Sequence, residues 1–176
     1  MDKNGFLKLL IGFMAIVGLN GSPSAVEAHH KPGHLQGPPT STSFAIVQPQ
    51  AFGTISPEII GGTLTVSDVG TVSVTGSVTS LGGAFNALLT VNSCAGSVTT
   101  LVLTNGVLTG PGADIVITNL TCTGPGGTSA SGGCFFSGTA GADVVAVGGT
   151  VSIPAGQTPG VYTGVFDITG THNPAC

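Results

Sequence analysis

Four cysteines are the residues whose chemistry the sequence predicts most directly: Cys94, Cys122, Cys134 and Cys176. An even number of cysteines in an exported chain favours two disulfide bonds. A bond between Cys94 and Cys122 would clamp the open end of a hairpin and leave Cys134 for Cys176. A bond between Cys122 and Cys134 would close a glycine-rich loop and leave Cys94 for Cys176. Four cysteines allow three sets of two bonds, and the sequence does not choose among them. Zinc is disfavoured, because no CxxC pair or histidine cluster accompanies the cysteines.

Three histidines, His29, His30 and His34, lie near the amino terminus that export would create. If the chain is cleaved after Ala28, two imidazoles lie beside a free amine, and such groups can bind Cu²⁺. No carboxylate or tyrosine accompanies them in the sequence, and histidines in a flexible proline-rich segment usually hold no metal. They are weak candidates for metal ligands, and we predict no cofactor.

The remaining polar residues do not indicate a catalytic site. Ser129 and Ser131 lie in a glycine-rich loop, but no G-x-S-x-G motif surrounds them. His172 is the only histidine outside the amino-terminal lead. The acidic residues show no recognisable context for the paired carboxylates of a glycosidase. We therefore predict that the protein is not an enzyme, and sugar binding by its loops stays open.

The charge composition excludes further classes of protein. The chain has 3 basic residues, all of them lysine, against 7 acidic residues, and only 6% of it is charged. Without arginine it offers no phosphate clamp, so nucleic acid is not an expected partner. Beyond the first segment, no apolar run approaches the roughly 20 residues that cross a bilayer. No transmembrane segment is therefore expected after that first segment is removed.

The first segment, residues 1–28, has the pattern of a secretory signal peptide. Lys3 precedes an apolar stretch that runs from Phe6 to Leu19, and Lys8 lies near the start of that stretch. Small residues follow up to Ala28. Export would place the protein in the periplasm, at the cell surface or outside the cell. Residues 29–42, rich in proline, glycine and histidine, form a flexible lead. Residues 43–176 then form a single domain.

From residue 43 onward, short runs of Val, Ile, Leu, Thr and Phe alternate with glycine-containing breaks. About nine such runs at intervals of about ten residues, with no helical period, predict an all-β sandwich or barrel. β-branched residues suit the pleated surface of a sheet. The predicted strands are Phe44–Val47, Thr63–Ser67, Thr71–Thr75, Ala84–Val91, Ser97–Thr104, Ala113–Leu120, Cys134–Thr139, Asp143–Ile153 and Val161–Thr169, and the predicted breaks include Ser56–Glu58, Gly61-Gly62 and Asn105-Gly106.

The carboxy-terminal block, residues 147–169, reads VGGTVSIPAGQTPGVYTGVFDIT and is the most distinctive part of the sequence. It resembles the closing strand of the bacterial domain-of-unknown-function 4402 family, and Phe52-Gly53 matches the family's opening. The resemblance covers residues 52–172. This family looks like a relative of spore coat protein U and of archaic chaperone–usher pilins. The resemblance therefore implies an immunoglobulin-like or pilin-like antiparallel β-sandwich of about eight or nine strands.

Within this block, alternation predicts a closing strand with one face in the core. Tyr162, Phe166 and Ile168 share the predicted inner face. Tyr162 is expected to hydrogen-bond a turn, as the corner tyrosine of sandwich domains does. Gly164 is expected to allow a neighbouring backbone to approach closely or to form a bulge.

The resemblance implies a secreted or cell-surface structural or adhesin-like protein. Pilin-like subunits assemble when an extended segment of one fills a groove in the next, so copies of this chain or other surface subunits are the expected partners. Residues 42–55 are a possible donor segment, with Phe44 and Ile46 alternating with Ala45 and Val47. The simpler interpretation makes them the first strand of their own sandwich. The alternative function is a stand-alone secreted module that binds carbohydrate, or copper through the terminal histidines.

Overall fold

A computed structural model describes residues 6–17, 43–93, 96–139, 141–158 and 160–173. These residues form strands, turns and loops, and no helix among them has the length and hydropathy of a membrane span. One network of paired strands includes all the strands described. They are β1 (Phe6–Val17), β2 (Ser43–Gln48), β3 (Ala51–Val66), β4 (Val72–Ser80), β5 (Ala84–Phe85), β6 (Ala87–Ser93), β7 (Val98–Thr109), β8 (Ile115–Thr123), β9 (Ser129–Ser131), β10 (Gly133–Ser137), β11 (Gly141–Ile153) and β12 (Gly160–Asn173).

The all-β prediction is confirmed, and each of the predicted strands has a counterpart in the structure. The strand count rises for three reasons. Residues 84–91 divide into β5 and β6, β9 is added in the glycine-rich loop, and β1 lies within the segment that the sequence assigns to targeting. The prediction that residues 1–28 are removed on export stays a prediction.

Some predicted breaks lie inside strands. Asn105-Gly106 belongs to β7, which continues to Thr109 before the chain turns. Ser56–Glu58 and Gly61-Gly62 belong to β3, where the register with β4 shifts between Pro57 and Gly62. Turn-forming residues predict breaks here, but in these strands they accompany a bulge or a close backbone approach.

Strand β11 is paired along both of its edges. One of its edges pairs with β6 over residues 141–147 and with β3 over residues 149–153. Its other edge pairs with β8 over residues 146–152. From β3 the pairing continues through β1, β12 and β7 to β8, so the path returns to β11. Every pairing is antiparallel except that between β1 and β3.

The core forms because alternate residues of the strands point inward. In β11 the side chains of Val145, Val147, Val151 and Ile153 are buried, whereas Val144 is exposed. Burying one such side chain contributes roughly 1.5–3 kcal/mol. The same alternation runs through the neighbouring strands and gives a single core. Its largest fully buried side chains are Tyr162, Phe52, Phe166, Ile55, Leu64, Leu89, Leu101, Leu108, Ile115, Ile117 and Leu120.

Residues 43–55 belong to the domain's own sheet. β2 pairs with β6, and the start of β3 pairs with β5. Phe52 and Ile55 are fully buried in the core. The structure therefore agrees with the simpler interpretation, in which this segment belongs to its own sandwich. It does not show residues 43–55 as a donor strand for another subunit.

Candidate strand-acceptor site

The closing strand β12 presents a continuous apolar face to the core. The side chains of Tyr162, Phe166 and Ile168 are at most 1% exposed, whereas the intervening Val161 and Val165 lie partly in solvent. This is the period of two that the sequence predicts for the block. The apolar face fixes the register of β12, since a slip by one residue would turn these side chains outward.

Two glycines allow β12 and β7 to approach closely. A Cβ atom on Gly164 would overlap the carbonyl oxygen of Val107, and one on Gly106 would overlap that of Val165. The register between the strands shifts between Val165 and Asp167. Gly164 therefore lies at the close approach that its position in the sequence suggests and just before the irregularity, and Gly106 completes the contact from β7.

Tyr162 anchors the turn that leads into β12. Its Oη donates a hydrogen bond of 2.7 Å to the carbonyl oxygen of Thr158. Gln157, in the same turn, donates from Nε2 to the carbonyl oxygen of Ala113 at 2.6 Å. These two bonds hold the start of β12 against the turn between β7 and β8.

The edge of β12 that faces away from β7 is paired with β1. All 12 residues of β1 pair with β12, from Phe6 opposite Thr171 to Val17 opposite Gly160. The other edge of β1 lies parallel to the start of β3, with Met14 opposite Ala51. Among the residues that the structure describes, no other strand occupies this position between β3 and β12. We call this position the acceptor slot.

Without β1, the acceptor slot would be a gap between two strand edges, β12 and the start of β3. A strand edge presents a row of backbone N–H and C=O groups, and leaving these groups without partners is unfavourable. A strand that enters the slot can pair with β12 on one side and with β3 on the other. Binding at such a site depends mainly on backbone pairing and requires no charged side chain.

A disulfide bond and a buried carboxylate hold the glycine-rich loop, residues 124–133, in place between β8 and β10. Cys122 is bonded to Cys134, the pairing that closes the glycine-rich loop, so Cys122 is not bonded to Cys94. Oδ2 of buried Asp68 accepts hydrogen bonds from Thr123 Oγ1 at 2.6 Å and from Ser129 Oγ at 2.5 Å. These contacts give the loop a structural role.

A second buried carboxylate, that of Asp143, lies where β11 begins. Ser93 Oγ donates to it at 2.5 Å, and Thr139 donates from both its backbone nitrogen and its hydroxyl group. Burial acts to raise the pKa of Asp143, but the hydrogen bonds from Ser93 and Thr139 outweigh it and lower the pKa below the ordinary value. The carboxylate therefore stabilises the folded state in its charged form.

Gln50 lies between β2 and β3 and was not singled out by the sequence. It is 1% exposed, and neither Nε2 nor Oε1 has a hydrogen-bond partner in the described part of the protein. Its Nε2 lies near Gly149, which also adjoins Ile117 and Leu120. A buried amide in such apolar surroundings is unfavourable. Nothing in its sequence context distinguishes it from an exposed glutamine.

The other predicted ligands and cysteines lie outside the described residues. These are His29, His30 and His34 in the lead, together with Cys94 and Cys176. Within the described ranges, no group of three His, Cys, Asp or Glu side chains could hold a metal ion. Copper binding by the lead stays a prediction.

Comparison with known families gives one match. A model described as "Domain of unknown function (DUF4402)" matches residues 44–171, which is most of the chain. The chain belongs to the DUF4402 family. The match confirms the family that the closing block indicates and begins at Phe44, earlier than the expected start at Phe52. Neither the search of curated proteins nor the search of solved structures finds a match.

The boundaries of the DUF4402 domain show which strands of the acceptor slot belong to the domain. The domain begins in β2 and ends in β12, so it supplies both walls of the slot, β3 and β12. Strand β1, which fills the slot, lies outside the matched residues. The DUF4402 domain thus pairs with an apolar strand from outside its own boundaries.

Proposed function

We propose that the exported protein is a structural subunit of a secreted or cell-surface assembly, in which a neighbouring subunit inserts a strand into the acceptor slot. One observation carries the proposal: β1, from outside the DUF4402 domain, lies between β3 and β12 and pairs with both. If residues 1–28 are removed on export, β1 leaves with them. The two walls would then present unpaired edges that a strand from another subunit can occupy.

The outer surface also suits an assembled protein. Phe135 on β10 is 80% exposed and pairs with Thr100 on β7, beside the exposed Val98 and Val102. No lysine or arginine follows Lys31, so this face is free of basic residues. An uncharged patch of Val, Thr and Phe is typical of a surface that contacts another protein. It supports an adhesive or assembled role, in addition to the acceptor slot.

Two measurements on the exported protein test the proposal. Electron microscopy shows whether it forms assemblies, and hydrogen exchange measures the protection of its backbone amides. We expect fibres or other ordered assemblies in which amides of β12 and of the start of β3 are protected. After dissociation into monomers, those amides should exchange faster by at least about tenfold, because the edges lose their partner. The segment where β11 pairs with β8 is the internal control and should stay protected in both states. A monomer whose β12 amides are protected to the same extent without a partner would overturn the proposal.

A further inference from the structure

We propose that the strand filling the acceptor slot comes from a different kind of polypeptide, and that this chain receives a strand without donating one from its lead. The inference rests on the proposed function, since it concerns the occupant of the same slot. The partner is recognised by its chemistry: an extended, proline-free, predominantly apolar segment of about 12 residues, the length of β1.

The slot sets the length and direction of its occupant. β1 pairs with β12 along an uninterrupted register from Thr171 to Gly160. Its last four residues, Met14–Val17, also run parallel to the start of β3, between Ala51 and Ile55. An occupant therefore runs antiparallel to β12 and pairs with it along its whole length, and its last four residues pair with β3 as well. Proline has no backbone N–H to donate, so it is disfavoured along β12 and excluded where the occupant pairs with β12 and β3 at once.

Residues 29–42 do not meet these requirements. They read HHKPGHLQGPPTST and contain Pro32, Pro38 and Pro39. Leu35 is their only aliphatic residue, and the proline-free stretch around it extends only from residue 33 to residue 37. Such a segment favours an extended, solvated conformation over a paired strand. A second copy of this chain cannot fill the slot with its lead.

The apolar residues that follow the lead are already in use. β2 is paired with β6, and the ring of Phe44 packs against Gly170 of β12. Phe52 and Ile55 of β3 are fully buried in the domain's own core. Donating this segment would remove the β3 wall of the donor's own acceptor slot. A donor strand therefore has to come from a chain with a different sequence.

The register provides a direct test by fusion. Phe6 lies opposite Thr171, close to the end of β12, so a strand appended after Cys176 through a short Gly-Ser linker can fold back along β12. Three variants of the exported chain, residues 29–176, are compared. The first carries the sequence of residues 6–17, the second carries residues 29–40, and the third carries residues 6–17 with Ile11→Pro, Ala15→Pro and Ile16→Pro in the appended copy.

The measured quantities are the thermal midpoint and the amide exchange of β12. We expect the first fusion to raise the midpoint by at least about 5 °C over the unfused chain and to protect β12, while the lead and proline fusions leave both unchanged. If the lead fusion stabilises as much as the first, the chain can donate to itself; the inference is then wrong and the proposed function stands. If the first fusion does not stabilise, the slot accepts no strand, and both proposals are wrong.

Discussion

Tyr162 hydrogen-bonds the carbonyl oxygen of Thr158, four residues earlier, and so joins the closing strand to the turn before it. The ring is fully buried, and its hydroxyl group reaches the backbone at the edge of the core. One residue thus combines a large apolar contact with a polar anchor.

We expect Tyr162→Phe to lower the free energy of unfolding by about 1 kcal/mol, because the ring stays in place and one hydrogen bond is lost. Tyr162→Leu is expected to cost more, since packing is lost as well. Urea unfolding at neutral pH measures both. Equal stability of Tyr162→Phe and the unchanged protein would show that the bond contributes nothing to folding.

Asp143 predicts a dependence of stability on pH. Its pKa is lowered in the folded state, so its contribution is present above the ordinary pKa of aspartate and is lost as the pH falls through the lowered value. The unchanged protein should lose this contribution below about pH 4. Asp143→Asn should be less stable at pH 7 by roughly 1–3 kcal/mol and should lose less on acidification.

The control for Asp143 is Asp114→Asn, which alters an exposed carboxylate. Urea midpoints at pH 7 and pH 3 are compared for the three proteins. An equal change, in the two variants, of the difference between the midpoints at pH 7 and pH 3 would contradict the expectation. In that case the hydrogen bonds from Ser93 and Thr139 are not the source of the pH dependence of stability.

Gln50→Leu is expected to stabilise the protein by about 1–2 kcal/mol, because it removes a buried amide whose polar atoms have no partner in the described structure. Gln48→Leu is the matched control. Nε2 of Gln48 donates to the carbonyl oxygen of Asn86 at 2.9 Å, so this substitution should destabilise. Thermal unfolding distinguishes the two, and a loss of stability in Gln50→Leu would contradict the expectation.

The disulfide bond between Cys122 and Cys134 is expected to contribute about 2–3 kcal/mol, since it closes a short loop. The double variant Cys122→Ala, Cys134→Ala removes it without leaving a thiol. Its melting temperature under oxidising conditions should be lower than that of the unchanged protein, and mass spectrometry of peptides verifies the pairing. A peptide that joins Cys122 to Cys94 would contradict the structure.

The sequence predicts the inner face of β12 well, because Tyr162, Phe166 and Ile168 obey a local period of two. It does not predict the role of Gly106, because a turn and a close backbone approach both select glycine. The distinction depends on Val165, which lies in a different strand.

The contacts of Asp68 could not be predicted for a similar reason. Its partners Thr123 and Ser129 are 55 and 61 residues away, and the fold brings them to the end of β3. The choice of Cys134 as the partner of Cys122 likewise depends on how β8, β9 and β10 are arranged. Residue types limit such contacts, but only the topology selects among them.

The uninterrupted register between β1 and β12 also has a mechanical consequence. A strand held in the acceptor slot and pulled along its own axis loads the ladder in shear, so many hydrogen bonds must yield together. Pulled sideways from one end, the same strand would open them one at a time. A subunit joined through this slot would therefore resist tension along the inserted strand more strongly than peeling from its end.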